Sequence, residues 1–408
     1  MYRWLVRGLA AVTLLFSSWS TLRIADLAIF DLAAPVTLGA ALLCRRTGSS
    51  AAAPGSLKLP LIGIGLLLLG GYLALTTCPD TEEHIQKVTV LVLAFTAMAG
   101  LGWVFADRGI FRVTEILALL CLSGSISSGV AILQGRLGMF VGLMPAKVEA
   151  WGRMSGLTQH PLEAGSVAAF AAALALGLMI YKKGWTRPLF VLLAALNIYS
   201  MEYSASLTAV FAFCAAVVAV AIFYRAWLFL SVLAIFSITL GGGLAASSSL
   251  PGPLASRLQT IFELGGNYTT VQTRERQLRQ TIEQIDGGTL LLGNGYSMAN
   301  LPDGKEIHNG FLGALFHFGL LGLASQCVFI WYFLNGLLSN ASRELRAVLL
   351  GCAVVFLLEY STGPALARRT VWVPMFLIAA YVGSAAATRS NVRVAGAVTP
   401  LTPVEPHA

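Results

Sequence analysis

Apolar runs of membrane length, broken by short polar stretches, dominate the 408-residue chain. About 20 apolar residues in a helix cross the hydrocarbon core of a bilayer. Windows of that kind fall at 4–21, 25–43, 58–77, 86–106, 110–133, 160–181, 186–201, 205–224, 227–246, 308–335, 344–361 and 369–388. The predicted fold class is therefore all-α, a polytopic membrane protein with about 12 transmembrane helices. The seventh window is marginal, which leaves counts of eleven and thirteen open. Residues 1–246 would hold helices one to nine, 247–307 a long loop, 308–388 helices ten to twelve, and 389–408 a disordered tail.

Within the long loop, "TTVQTRERQLRQTIEQIDGG" (269–288) changes period. Val271, Leu278, Ile282 and Ile285 recur at helical spacing and Asp286-Gly287-Gly288 ends the pattern, which predicts an amphipathic helix over about 270–286. At about 100° per residue, Arg274 falls at the border of the apolar stripe, while Arg276 and Arg279 project away from it. Arg274 is thus expected to face the membrane body. An interfacial helix whose arginines snorkel to lipid phosphates is the competing account.

Charge orients the spans. A cytoplasmic N terminus puts fifteen of the 27 basic residues inside and twelve outside, five of the latter in the long loop (Arg257, Arg274, Arg276, Arg279, Lys305). The positive-inside rule then predicts cytoplasmic termini and an outward-facing 247–307 segment. Three polar segments land outside in this arrangement: 134–159, 247–307 and 363–369.

Composition narrows the class. With 57% hydrophobic and 11% charged residues and a mean hydropathy of +0.76, the chain is far from a soluble average. The net charge of +8 flanks apolar spans rather than interleaving with aromatics, so nucleic acid is not an expected partner and membrane lipids are. The six cysteines are scattered without a C-x-x-C, which predicts neither a disulfide framework nor a zinc site. No D-x-D pair, H-E-x-x-H, Walker or G-x-S-x-G pattern occurs, so no metal and no cofactor is expected. The first apolar stretch has no small-residue cleavage site before a soluble domain, and is read as a membrane helix rather than a signal peptide.

Two polar stretches at the mouths of apolar spans carry candidate chemistry. In "EIHNGF", His308 stands where a helix N terminus and partial burial both disfavour the imidazolium, which leaves a ring able to accept a proton near pH 7. Asn309 offers a donor and an acceptor for orienting a substrate. Helix capping is the alternative for this pair. His317, about 180° round the helix, reads as packing or a polar helix contact. In "RMSGLTQHPLEAG" (153–165), Arg153, Gln159, His160 and Glu163 gather near the outer surface, with Pro161 suited to a first helical turn. A plain helix start is the alternative there, and Arg368-Arg369 read as headgroup anchors.

The order of "TRERQLRQTIEQIDGGTLLLGNGY", then "IHNGFLGALFHFGLLGL", with "GLTQHPLEAG" upstream, resembles the O-antigen ligase and O-antigen polymerase family of bacterial membrane glycosyltransferases. The resemblance covers mainly 153–323. It implies a ligase that moves a glycan from an undecaprenyl-pyrophosphate-linked donor to a lipid A-core acceptor, at the periplasmic face of the bacterial inner membrane. It implies catalytic roles for His308 and Arg274, with Arg153, Arg276, Arg257, Asn309, Gln159 and His160 binding pyrophosphate or glycan. An O-antigen or exopolysaccharide polymerase is the rival within the family; a twelve-span transporter is the rival from another class. Two departures stand out. Ser206-Leu207-Thr208-Ala209 lacks the arginine of the family's Ser-Arg-Gly, and Leu278 stands where a tryptophan commonly follows the loop arginine.

Overall fold

The computed structural model describes residues 2–24, 27–43, 57–143, 152–182, 184–226, 253–264, 269–301, 306–338, 342–363, 368 and 370–379. The helices are α1 (Tyr2–Leu15), α2 (Ile29–Leu42), α3 (Lys58–Ala74), α4 (Thr81–Asp107), α5 (Val113–Leu137), α6 (Pro161–Tyr181), α7 (Thr186–Ser204), α8 (Leu207–Phe223), α9 (Pro253–Leu264), α10 (Thr269–Glu283), α11 (Gly287–Leu292), α12 (Gly310–Leu338), α13 (Arg343–Thr362) and α14 (Thr370–Ala379). Five of them, α4, α5, α6, α12 and α13, are long and apolar enough to cross a membrane, and α2, α3, α8 and α14 are shorter apolar helices. The expected span at 227–246 and the tail from 389 lie outside the described residues. A two-residue antiparallel hairpin, Arg23–Ile24 with Leu27–Ala28, is a small exception to the all-helical expectation.

Polar residues set the helix ends. Asp80 Oδ1 accepts from Glu83 N–H ahead of α4, Ser206 Oγ from Ala209 N–H ahead of α8, and Ser342 Oγ from Leu345 N–H ahead of α13. Each takes up one of the donors a helix start leaves unpaired. The centre of the bundle is α6, which packs against α5, α7, α8 and α13. Its "AGSVAAFAAALALG" run is small, so neighbouring backbones come close: a Cβ at Gly165 would stand 2.5 Å from Ser206 Cβ, and one at Gly177 2.7 Å from Val348 Cγ2. Small-residue packing of this kind replaces the hydrophobic effect as the association force between helices in lipid. Between α5 and α7 a buried polar knot adds to it, Ser128 Oγ donating to Asn197 Oδ1 and Asn197 Nδ2 to Ser125 Oγ, each at 2.7 Å.

The helix α12 is broken at Gly319, whose φ of 63° and ψ of −159° only glycine adopts without strain. The loop after α11 fills the break. Asn294 N–H donates to Phe316 O at 2.8 Å and Gly295 N–H to His317 O at 3.1 Å, so carbonyls freed by the kink are satisfied. A Cβ at Gly319 would sit 2.4 Å from Leu291 O, which fixes glycine there on space as well as conformation. The other side of this strap is pinned to the α3–α4 turn: Tyr296 N–H donates to His84 Nδ1 (2.6 Å), and Ser297 Oγ (2.6 Å) and Met298 N–H (3.0 Å) donate to Glu83 Oε2.

Candidate functional site

The segment ahead of α6 is held rigidly against α5. Gly156 exchanges two hydrogen bonds with the Gln134 amide, at 2.9 and 3.1 Å, and Leu157 N–H donates to Ser127 Oγ. This delivers His160 to the helix mouth as the N-cap, its Nδ1 accepting from Leu162 N–H at 3.1 Å. An Nδ1 that accepts leaves the proton of the neutral ring on Nε2. Burial, with Arg368, Arg153 and His308 nearby, pushes the ring down to about 4.

His308 stands opposite, just ahead of α12. Burial, then the Arg274 and Arg368 guanidiniums, hold its ring at about 4, and its buried Nδ1 has no partner. The neutral state expected from sequence is the one this environment favours. The cap of α12 is a different residue: Asn309 Oδ1 accepts from Leu312 N–H at 2.9 Å. The side-chain oxygen of Asn309 is therefore spent on the helix start, which leaves its amide N–H groups as the part that could orient a substrate.

The arginines divide. Arg153 Nε donates to Ser204 O at 2.8 Å and Arg257 Nη1 to Ala205 O at 2.7 Å, both at the left-handed C-terminal turn of α7 (Ala205 φ 47°). Cations there complement the helix dipole. Arg274 is half-buried, while Arg276 is exposed. The face that α10 buries is not the expected one. Gln277 is 6% and Thr281 1% exposed, whereas Leu278 and Ile282 are 44% and 55% exposed, and no description extends to the side chain of Val271. The helix turns its polar edge to the protein and leaves two apolar side chains outward, as an interfacial helix does.

Two groups that the sequence reading did not place at the site belong to it. Arg368, expected to be a headgroup anchor, acts electrostatically on His160, His308 and Glu359, and among the described residues no hydrogen bond or ion pair holds its side chain. Glu359, in α13, is buried, accepts from Ser166 Oγ at 2.6 Å and has a second oxygen, Oε1, with no partner. It lies within electrostatic range of Arg368 and Arg274. The signal for it was present: a lone acid in the apolar run "VVFLLEYSTG" is a functional hypothesis by default.

Beside this cluster lies a cavity of about 650 Å³. Gln159, His160 and Arg368 line it near the cluster, Glu83, Lys87 and Leu91 from α4, and Tyr296 and His317 from the strap and α12. Of the residues expected at the site, Arg153, His160, Arg274 and His308 thus converge, and Gln159 lines the adjoining cavity. The pattern offers guanidiniums for a doubly charged phosphate group and one part-buried neutral imidazole to take a proton. Compared with known proteins, the chain matches no family model and no curated protein.

Proposed function

We propose that the chain is a membrane glycosyltransferase of the O-antigen ligase type. It transfers a glycan from undecaprenyl pyrophosphate to a hydroxyl of the lipid A-core oligosaccharide, at the periplasmic face of the bacterial inner membrane. The observation that carries the reading is His308, a part-buried imidazole with a buried, unpartnered Nδ1 beside Arg274 and Arg368. In the reaction, His308 takes the proton of the acceptor hydroxyl as its oxygen bonds to the anomeric carbon. The bond from that carbon to the pyrophosphate oxygen breaks, its electron pair stays on the pyrophosphate, and the guanidiniums hold the released charge. Direct attack inverts the anomeric centre. General-base help is worth about 10²–10⁴-fold, and stabilisation of the leaving charge is of comparable size.

A transporter would draw on the break in α12. The carbonyls of Phe316 and His317 at that break are already taken by the N–H groups of Asn294 and Gly295, so it has little to offer an ion. The test is deletion of the gene followed by lipopolysaccharide gel analysis, with complementation by wild type and His308→Ala. Lost ligation with lipid-linked polymer accumulating, rescued by wild type and not by inserted His308→Ala, is the expected outcome. Single-repeat capping would make the chain a polymerase. An unchanged gel, or rescue by His308→Ala, would remove the assignment.

A further inference from the structure

His317 is the least explained polar group in the bundle. It is 4% exposed, yet it lines the 650 Å³ cavity. Its Nδ1 lies 2.9 Å from Gly295 O, and because a carbonyl can only accept, Nδ1 carries a proton. The ring is clamped by Tyr296, with centroids 4.7 Å apart, and by Phe316 and Phe318. In the neutral ring the lone pair then sits on Nε2, for which the described residues provide no hydrogen-bond partner. The ring borders the cavity, so a ligand held there can supply that partner.

The remaining lining shows what that partner is. Glu163 accepts from Ser20 Oγ (3.1 Å) and Gln159 N–H (3.3 Å) through one oxygen, Oε2, and its Oε1 has no partner among the described residues. The Gln159 side-chain amide is likewise uncommitted among them. Four carboxylates line the cavity, Asp31, Glu83, Glu163 and Glu306, against two cations, Lys87 and Arg368. Glu83 is paired with Lys87 at 2.8 Å, and acids still outnumber bases on the lining, which disfavours an anionic ligand. The carboxylates are also too dispersed to share a metal ion, since no three His, Cys, Asp or Glu side chains converge among the described residues. A neutral ligand that brings many hydroxyl donors satisfies carboxylate, amide and imidazole acceptors together. The volume is within the range of small-ligand pockets.

We propose that this cavity is the acceptor-saccharide subsite, with His317 Nε2 and Glu163 accepting hydrogen bonds from hydroxyls of the sugar presented to His308. The assignment rests on the glycosyltransferase reading. It selects the acceptor over the donor on charge, because the donor's first sugar carries pyrophosphate one bond away and the acid lining opposes it. His317 is a positioning residue for the acceptor; it does not touch the bond that breaks.

The experiment uses the full chain in lipid nanodiscs, an undecaprenyl-pyrophosphate-linked glycan, and lipid A-core from a strain that lacks O-antigen. His317→Asn keeps a donor where Nδ1 stands and removes the Nε2 acceptor, while His317→Gln restores a polar group at the Nε2 position. His317→Asn is expected to raise the acceptor KM about three- to tenfold, the worth of one neutral hydrogen bond, with kcat and donor KM unchanged. His317→Gln is expected to recover acceptor affinity. Glu163→Gln, which leaves an oxygen for Ser20 and Gln159, should raise acceptor KM similarly and serves if His317→Asn does not fold. An unchanged acceptor KM in the folded variants, or a rise in donor KM, overturns the subsite. If wild type transfers nothing, the glycosyltransferase reading fails by itself. The subsite is then judged by saturation-transfer NMR with core oligosaccharide released by mild acid, where absence of binding to wild type overturns it.

Discussion

Two histidines at adjacent helix mouths show how one residue type takes separate tasks. His160 caps α6 through Nδ1, whereas His308 leaves capping to Asn309 and keeps its buried Nδ1 unpartnered. Both rings are held at about 4 by burial and nearby guanidiniums. For a base whose folded pKa lies below its ordinary value of about 6.5, the unfolded chain binds more protons between the two values, so stability falls as pH drops through that window. In the proposed reaction the consequence runs the same way: His308 would stay a competent base at neutral pH, with its loss by protonation expected near pH 4 instead of near 6.5. The acid limb of kcat/KM against pH checks this, together with NMR titration of the His308 ring. In Arg368→Ala one repelling cation is gone, so the ring's titration should move upward; a limb near 6.5 in wild type, or no movement in the variant, would contradict the electrostatic account.

At the scale of elements, the strap between α11 and α12 and the break at Gly319 form one unit. Nothing in the pattern of the "LLLGNGY" stretch says that Asn294 and Gly295 would pair with carbonyls released inside a later helix. That pairing is tertiary, and it depends on a glycine that sequence alone makes unremarkable among the 41 in the chain. Gly319→Ala forces a side chain into a backbone region that costs about 1–3 kcal/mol for other residues, with its Cβ directed at Leu291 O. A melting temperature lowered by several degrees and loss of transfer are expected, read by thermal unfolding in detergent and by the transfer assay; a variant equal to wild type would show the strap to be dispensable. The same scale explains what reading the sequence found and missed. The existence of α10 followed from local rules, and each expected window within the described residues contains a helix. The phase of α10 did not follow, because Gln277 and Thr281 are buried by the protein while Leu278 and Ile282 suit a bilayer surface, a solvent that a helical wheel does not distinguish from a core. Glu359 was passed over for a related reason: its value lies in Ser166 and Arg368, 193 residues before it and on a separate segment after it.

Across the whole molecule, chemistry is segregated by end. The segments holding Ser20, Glu83, His160, Arg274, His308 and Arg368 are far apart in sequence, and they are linked around one cavity and one cluster of charges. Basic anchors occupy other helix ends: Arg3 donates to Gly109 O at 2.7 Å, and the Arg343 guanidinium lies 5.4 Å from the Tyr224 ring. A carrier for solutes would be expected to place its polar groups near mid-depth, between repeats; an enzyme that meets a lipid-linked donor and a surface acceptor gathers them at the interface. In the proposed reaction the diphosphate's charge would be held by Arg274 and Arg368, while Arg153 and Arg257 also bind the end of α7. Guanidiniums bind phosphate oxygens in pairs and stay charged at every working pH, which gives them the role a divalent ion plays in nucleotide-sugar enzymes. Transfer by the purified protein is therefore expected to be undiminished in excess chelator, while Arg274→Ala and Arg368→Ala each lower kcat/KM about 10²–10³-fold. Activity lost to chelator and restored by magnesium or manganese would mean that the arginines are not the principal clamp, and the division of charge between the two ends would then need another explanation.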